Sequence, residues 1–328
     1  MLVTGGAGFI GSHLVETLVA LGASVRVLDD LSAGSRDALA PFPTVEFVEG
    51  SVLDAAAVAR CAAGCRFVFH QAALVSVPES VARPARYHEV NAEGTRVVLE
   101  AARAARVARV LFAGSSSIYG DGPEQFKSES LAPAPQSPYA EAKLAAEGHV
   151  REFGAGGSAG GGARGANGRA GDRGLDHAGG RLDTVTLRYF NVFGPRQRAE
   201  SAYAAVVPAF ARRLLAGERP IVYGDGEQSR DFAFIANVVH ANLLAARHAG
   251  PLRGAAINIG SGERTTVNDL ARAMARLAGR PDLAPLHEPE RSGDVRHSVA
   301  DVARARAVLG FAPLVSLEDG LSVVLGRA

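Results

Sequence analysis

Tyr139 and Lys143 stand four residues apart in Tyr139-Ala140-Glu141-Ala142-Lys143. On a helix that spacing puts a phenol and an ammonium on one face. A nearby cation stabilises phenolate and lowers the phenol pKa towards the range where general base catalysis works. Such a pair could take a proton from an alcohol. A second group opens the chain, Gly5-Gly6-Ala7-Gly8-Phe9-Ile10-Gly11. It is expected to follow a strand and begin a helix. Glycine there permits a tight turn, close approach of backbone to a pyrophosphate, and packing of helix on strand. The helix N-terminus then faces the phosphates. Asp29 lies 18 residues past Gly11. It ends a second predicted strand, where a carboxylate can bind a ribose 2′-hydroxyl and repel a 2′-phosphate, which favours NAD over NADP.

The elements that must position these groups follow from the apolar pattern. Strands are predicted over residues 2–4, 25–28, 45–48, 67–70, 110–113 and 184–188. Their Val, Leu and Phe content suits burial on both faces. Helices are predicted between them, over 10–21, 91–106 and 139–153 among others. This alternation implies right-handed crossovers and a doubly wound parallel sheet in an α/β fold. Residues 1–190 are therefore expected to form a dinucleotide-binding domain. The first strand is short because the chain starts at Met1-Leu2-Val3, as a late start codon or a trimmed chain would produce. Within 154–181, 12 of 28 residues are glycine. That segment has too little apolar surface to offset its ordering entropy and is expected to be a flexible insert. Residues 191–328 read mainly as a smaller α+β substrate lobe, with 234–260 returning to the first domain. Helices are expected there over 206–216, 235–249, 267–277 and 302–309.

Composition excludes several classes. The 328 residues carry 35 Lys+Arg against 34 Asp+Glu, a formal net charge of +1. There is no basic field for nucleic acid or an anionic membrane. Cys61 and Cys65 are the only cysteines, too few for a disulfide framework or a four-cysteine zinc site. Their spacing, with Gly64 between, reads as a helix end and its turn, and no metal site is expected. No apolar run approaches the ~20 residues of a membrane span. The expectation is a soluble, cytoplasmic protein.

The G-x-x-G-x-x-G spacing with Phe-Ile-Gly-Ser-His-Leu after it resembles the extended short-chain dehydrogenase/reductase family. The resemblance covers nearly the whole chain except the glycine-rich insert. It implies a Rossmann fold with NAD held near Gly5, Gly8, Phe9, Ile10, Gly11, Asp29 and Asp30. It extends that set to Ser51, Val52, Gln71, Ala72, Ala73, Asn91, Tyr139 and Lys143. Ser51 stands where the family usually has an Asp contacting adenine. In Gly114-Ser115-Ser116-Ser117-Ile118-Tyr119-Gly120, the hydroxyl four residues before the Tyr-Gly pair is Ser115, and by resemblance it assists proton transfer. Three further motifs resemble the nucleotide-sugar branch of the family. Arg188-Tyr189-Phe190-Asn191, running on to Gln197, would place Asn191 on the diphosphate or sugar. Gly224-Asp225-Gly226-Glu227-Gln228-Ser229-Arg230-Asp231 would place Arg230 on the diphosphate. Arg291-Ser292-Gly293-Asp294-Val295-Arg296-His297-Ser298 would hold diphosphate and ribose with Arg291 and Asp294. Ile235-Ala236-Asn237 departs from the acidic pair commoner in the family.

Dehydratases of this branch carry an acid one or two residues after the catalytic hydroxyl. Ser116 and Ser117 occupy those positions, which disfavours elimination. The pattern is nearest that of 4-epimerases acting on UDP-hexoses, UDP-N-acetylglucosamine or UDP-glucose, through a transient 4-keto sugar. His70-Gln71-Ala72-Ala73 and Ser76-Val77-Pro78 add to the likeness, with Ser76, Ser116 and Ser117 lining the sugar. Ser298 and Ala205 are small, and leave room for a 2-acetamido group. UDP-glucuronate 4-epimerases share much of the pattern and stand as the alternative, with dehydratases, decarboxylases and reductases of the same family. The family also implies a homodimer, paired through the helix near Asn91 and the helix bearing Tyr139.

Overall fold

A computed structural model describes residues 1–156, 181–197, 206–290 and 295–327. The first half alternates strand and helix: β1 (Leu2–Thr4), α1 (Phe9–Ala20), β2 (Arg26–Asp29), β3 (Glu46–Glu49), α2 (Ala55–Ala62) and β4 (Phe67–His70). Next come α3 (Val77–Ala82), α4 (Pro84–His88), α5 (Gly94–Ala104), β5 (Arg109–Ser115), β6 (Phe126–Lys127) and α6 (Pro138–Ala155). Then follow β7 (Asp183–Tyr189), β8 (Val192–Phe193), α7 (Val206–Leu215), β9 (Ile221–Tyr223), β10 (Ser229–Arg230) and β11 (Ala233–Phe234). The chain continues through α8 (Ile235–Arg247), β12 (Ala255–Ile259), β13 (Thr265–Thr266), α9 (Val267–Leu277) and β14 (Leu286–Glu288). It ends with β15 (His297–Ala300), α10 (Ala303–Leu309) and α11 (Leu317–Val324).

Seven strands form one parallel sheet in the order β12-β7-β5-β4-β1-β2-β3. The order reverses between β1 and β4, and ligands of open α/β sheets bind at that switch, beyond the carboxyl ends of the strands. Apolar clusters cover both faces. One gathers Leu14, Val15 and Leu18 of α1 with Val238, Ala241 and Ala245 of α8. The other gathers Val58 of α2, Val98 and Leu99 of α5 and Ala146 and Val150 of α6. A second, four-stranded sheet runs β13-β10-β15-β6. β12, although late in the chain, pairs with β7 at the edge of the main sheet. Among the described residues no helix is long and apolar enough to cross a membrane.

Three local details differ from the sequence reading. β5 and β7 outrun the predicted 110–113 and 184–188, because their ends are polar residues that the apolar pattern does not mark as strand. The helix expected over 91–106 is interrupted: a π-turn spans Glu89–Glu93 and α5 starts only at Gly94. There the Asn91 side-chain amide turns away to clamp Leu74, and the Thr95 hydroxyl donates to Asn91 O at 2.6 Å. The predicted 139–153 helix runs Pro138–Ala155, with Ser137 Oγ accepting Ala140 N–H and Pro138 in the first turn, where its missing donor costs nothing. Of the glycine-rich insert, residues 157–180 lie outside the described residues.

At the far end of the sheet, Arg109 is fully buried and organises the return of the chain. Its Nε donates to Asp183 Oδ2 at 2.6 Å. Its terminal nitrogens donate to the carbonyls of Ala245, His248 and Gly250, at the C-terminus of α8 and just beyond. Asp183 Oδ1 accepts Leu252 N–H and Arg253 N–H. A guanidinium at a helix C-terminus also meets the negative end of the helix dipole. Replacing Arg109 by Met leaves a buried carboxylate and several carbonyls without a donor. The expected loss is about 3–5 kcal/mol of unfolding free energy by denaturant titration, the usual cost of breaking a buried pair from one side.

Candidate active site

The glycine turn is shaped by contacts that exclude side chains. Gly5 leaves β1 with φ +68°, and a Cβ there would lie 2.6 Å from Ala72 N. A Cβ on Gly11 would lie 2.0 Å from Gly5 O. So α1 sits directly on the turn, and its first amides, beginning with Phe9 and Ile10, form a helix N-terminus at the switch point. Gly8 is the N-cap and supplies no capping side chain. The bare helix end and the glycine surface fit a pyrophosphate. Asp29 ends β2 beside this turn. Its Oδ2 accepts Ala7 N–H at 2.9 Å and its Oδ1 accepts Leu31 N–H at 2.8 Å. Burial raises its pKa against the pull of those two bonds. Each oxygen keeps a lone pair for a ribose hydroxyl. These residues fit NAD.

Around the turn, Asp30 is exposed and takes the Ser32 N–H and hydroxyl. The Ser51 hydroxyl accepts Leu53 N–H at 3.2 Å, and Val52 packs against Gly94, where a Cβ would meet its methyl at 2.7 Å. Gln71 N–H pairs with Thr4 O, and the Gln71 side chain meets the Tyr189 hydroxyl at 3.3 Å. Ala72 N–H donates to Thr4 Oγ1 at 3.4 Å, and Ala73 follows in the same loop. Asn91 accepts Leu74 N–H at 2.8 Å and donates to Leu74 O at 2.9 Å. Its amide thus shapes the loop after β4.

His70 was only part of a motif in the sequence, yet it joins this whole floor. It is buried, with Nδ1 2.7 Å from Thr4 Oγ1 and Nε2 3.0 Å from Thr95 Oγ1. Thr95 donates its own proton to Asn91 O, so it accepts from Nε2–H, and Thr4 donates to Nδ1. Burial, with the Lys143 charge adding to it, drops the His70 pKa to about 3 and keeps the ring neutral.

At the end of β5, Ser115 caps the short turn Ser116–Tyr119. Its hydroxyl donates to Ser117 Oγ at 2.9 Å and accepts Ser117 N–H at 3.2 Å, and it faces the Tyr139 phenol closely enough to pull the phenol pKa down. Lys143 is buried, donates to Ala113 O at 2.8 Å and lies 4.7 Å from the Phe112 ring centre. Burial lowers its pKa to about 7. Burial also raises Tyr139, with the Ser115 bond working against it. The sequence reading has Lys143 lowering the phenol pKa. Here desolvation of the phenol dominates, and the ammonium is directed at a backbone carbonyl.

The remaining residues lie at the start of α3, beside β8 and on the second sheet. Ser76 Oγ accepts Glu79 N–H as the cap of α3. Asn191 donates to Asp231 O at 3.0 Å, and Gln197 to Val192 O at 3.0 Å. Arg230 on β10 is the register partner of Ser298 on β15, and donates to Ser229 O at 2.9 Å. Asp231, missed as a site residue, is buried and accepts from Ser261 N–H, the Ser261 hydroxyl, Gly262 N–H and Ala300 N–H. It ties Arg230's strand to the end of β12. Arg296, on the approach to β15, donates its N–H to Asp121 Oδ1 at 2.8 Å, which joins that strand to the loop after the serine turn. Ala205, Arg291 and Asp294 lie outside the described residues.

Fold and site together define a dinucleotide-dependent enzyme, with its glycine turn at the carboxyl end of β1 and a serine turn at that of β5. Residues 1–260 match the model of the NAD dependent epimerase/dehydratase family. A UDP-glucose 4-epimerase of Mycolicibacterium smegmatis is 38% identical over 326 residues, covering 98% of this chain and 96% of that protein. A UDP-N-acetylglucosamine 4-epimerase from Methanobrevibacter ruminantium, solved with UDP-N-acetylmuramic acid, superposes with TM-score 0.87 at 34% identity, covering 99% and 96% of the two chains. A UDP-glucose 4-epimerase from Thermotoga maritima, solved with UDP-glucose, gives 0.85 at 37% identity over 99% and 97%. The chain belongs to the NAD-dependent epimerase/dehydratase family, within the extended short-chain dehydrogenases/reductases.

The buried Lys143 ammonium has a stability consequence. Its folded pKa, about 7, is below the ordinary lysine value of 10.5. Below pH 7 the amine is charged in both states and folding bears the full desolvation cost; above pH 10.5 it is neutral in both and the cost vanishes. Lys143→Met should therefore raise the thermal midpoint of the cofactor-free protein at pH 7, and the gain should shrink steadily towards pH 10. A variant less stable than the parent at pH 7 would contradict this.

Proposed function

We propose that this protein catalyses the NAD-dependent 4-epimerisation of a UDP-hexose, UDP-N-acetylglucosamine or UDP-glucose, through a 4-keto sugar. The observation that carries the reading is the serine turn at the end of β5, which packs against the helix that bears Tyr139. Ser115, Ser116 and Ser117 contain no carboxylic acid to expel water. That supports inversion at C4 over dehydration. The identities to the three UDP-sugar 4-epimerases named above support the same substrate class.

In this mechanism NAD supplies a reversible hydride acceptor at the sugar C4. Tyr139, as phenolate, takes the 4′-hydroxyl proton, directly or through Ser115, and later returns it. Lys143 holds the cofactor ribose and keeps positive charge near the phenolate. Gly5, Gly8 and Gly11 bring backbone up to the pyrophosphate, and Asp29 takes the ribose hydroxyl. Arg230, with Arg291 and Asp294, grips the nucleoside diphosphate while the keto sugar turns over. Ser298 and Ala205 leave space at C2 for an acetamido group. We assign the working form as a cytoplasmic homodimer, with α5 and α6, which already pack side by side, pairing with their copies.

The direct test is to incubate the purified protein with UDP-N-acetylglucosamine, UDP-glucose and UDP-glucuronate separately and follow the anomeric protons by NMR. The expected result is the galacto epimer, without net NADH formation or consumption. Turnover confined to the uronate would change the sugar, and net NADH consumption would change the reaction. Tyr139→Phe should lower kcat by about 10²–10⁴, the usual contribution of a general base, with NAD content unchanged. Retention of more than about a tenth of the activity would remove Tyr139 from that role.

A further inference from the structure

Glu147 follows Tyr139 and Lys143 on α6 at the same four-residue interval, so the three fall within about 80° of one another around the helix. Glu147 and Arg188 of β7 are both buried. Arg188 donates Nε to Glu147 Oε2 at 2.9 Å and a terminal nitrogen to Oε1 at 2.5 Å, a bidentate pair. Its other terminal nitrogen donates to the Tyr119 hydroxyl at 2.5 Å, and the guanidinium carbon lies 5.0 Å from the Tyr119 ring centre. Tyr119 in turn donates to Asn258 Oδ1 at 2.7 Å. Asn258 donates its amide to the carbonyls of Lys127 and Asp301, and its backbone N–H to Glu129.

The elements so joined are the ones that a proton transfer needs aligned. Tyr119 closes the turn that Ser115 opens. Arg188 is the register partner of Gly114, the residue before Ser115, and a Cβ on Gly114 would come within 2.5 Å of Thr186. Glu147 lies two helical turns beyond Tyr139. One guanidinium therefore holds the helix that carries the phenol at one end and the turn that carries the serine at the other. We propose that Arg188, Glu147 and Tyr119 are positioning residues that set the placement of Ser115 relative to Tyr139. A planar fork suits this role, since it has fixed directions towards two partners, whereas a lysine has one nitrogen to share.

The inference rests on Ser115 and Tyr139 being the proton-transfer pair of the proposed epimerase. Its test is a double-mutant cycle on the holoenzyme, with UDP-glucose and UDP-N-acetylglucosamine as substrates. Tyr119→Phe keeps the ring and deletes the oxygen that Arg188 and Asn258 hold. Alone, it should lower kcat roughly tenfold with KM within about twofold, in line with the sensitivity of catalysis to sub-ångström misplacement. On a Ser115→Ala background it should change kcat by less than about twofold, because the contact it adjusts is already gone. Equal losses on both backgrounds, or no loss on either, overturn the proposal. Arg188→Lys, which keeps the charge beside Glu147, should show the same dependence on Ser115 and serves if Tyr119→Phe does not fold. A crystal structure of either variant decides the point apart from activity. Displacement of Ser115 from Tyr139 is expected, and an unmoved pair overturns the proposal. If the parent protein turns over neither sugar, the epimerase reading fails, while the crystal structure still judges the positioning role.

Discussion

The face of β7 that lies under α6 is polar, and the active site depends on it. Strands buried in parallel sheets ordinarily present apolar side chains to the helices above them. Here alternate residues Thr184, Thr186 and Arg188 take that face, while Val185 and Leu187 fill the core on the other side. Thr184 donates to Val150 O on α6 at 2.6 Å, and Arg188 holds Glu147 one helical turn earlier. Apolar packing alone would let a helix rich in alanine slide with little penalty, because small side chains interdigitate weakly. Directional bonds at two levels fix its rotation and its translation. The phenol and ammonium on the same helix inherit that placement.

The buried cations of this molecule are treated in two ways. Arg109 and Arg188 each face a carboxylate and have further oxygens for their remaining donors, so desolvation is offset by hydrogen bonding. Lys143 has a carbonyl and an aromatic face but no carboxylate partner among its hydrogen bonds, and its pKa falls to about 7. The protein therefore bears a local destabilisation at the residue proposed to hold the cofactor ribose. His70, beneath it, avoids the problem by remaining neutral between two threonine hydroxyls.

Much of this was legible in the chain. Periodicity separated strands from helices through the first half, and the glycine spacing located the switch point, since only glycine tolerates the contacts at Gly5 and Gly11. What escaped was polar. Asp183 and Arg109 fall just outside the predicted strands, because nothing in a one-dimensional pattern says that a charge 74 residues away completes a buried pair. The π-turn at Asn91 has no periodic signature; it exists because a side-chain amide is pulled out to hold the loop at Leu74. Glu147 carried a usable signal, a third polar residue at four-residue spacing after Tyr139 and Lys143, but its meaning depends on Arg188 across the sheet.

Tyr139 and Lys143 are displaced by burial in opposite directions, the phenol upwards and the ammonium downwards, so both are pushed towards their neutral forms. With the phenol protonated, a positive charge brought close would favour phenolate, and the same charge would further disfavour the ammonium. Base strength at Tyr139 is then conditional on what occupies the site. Ser115 and Ser117 complement this arrangement, because a hydroxyl can accept from one neighbour while donating to another, and can reverse both roles by rotating. A carboxylate in that turn would add a fixed negative charge beside the phenol, raise its pKa further, and work against proton removal from the sugar. The serine turn would therefore add no negative charge beside the phenol, besides holding no acid for elimination.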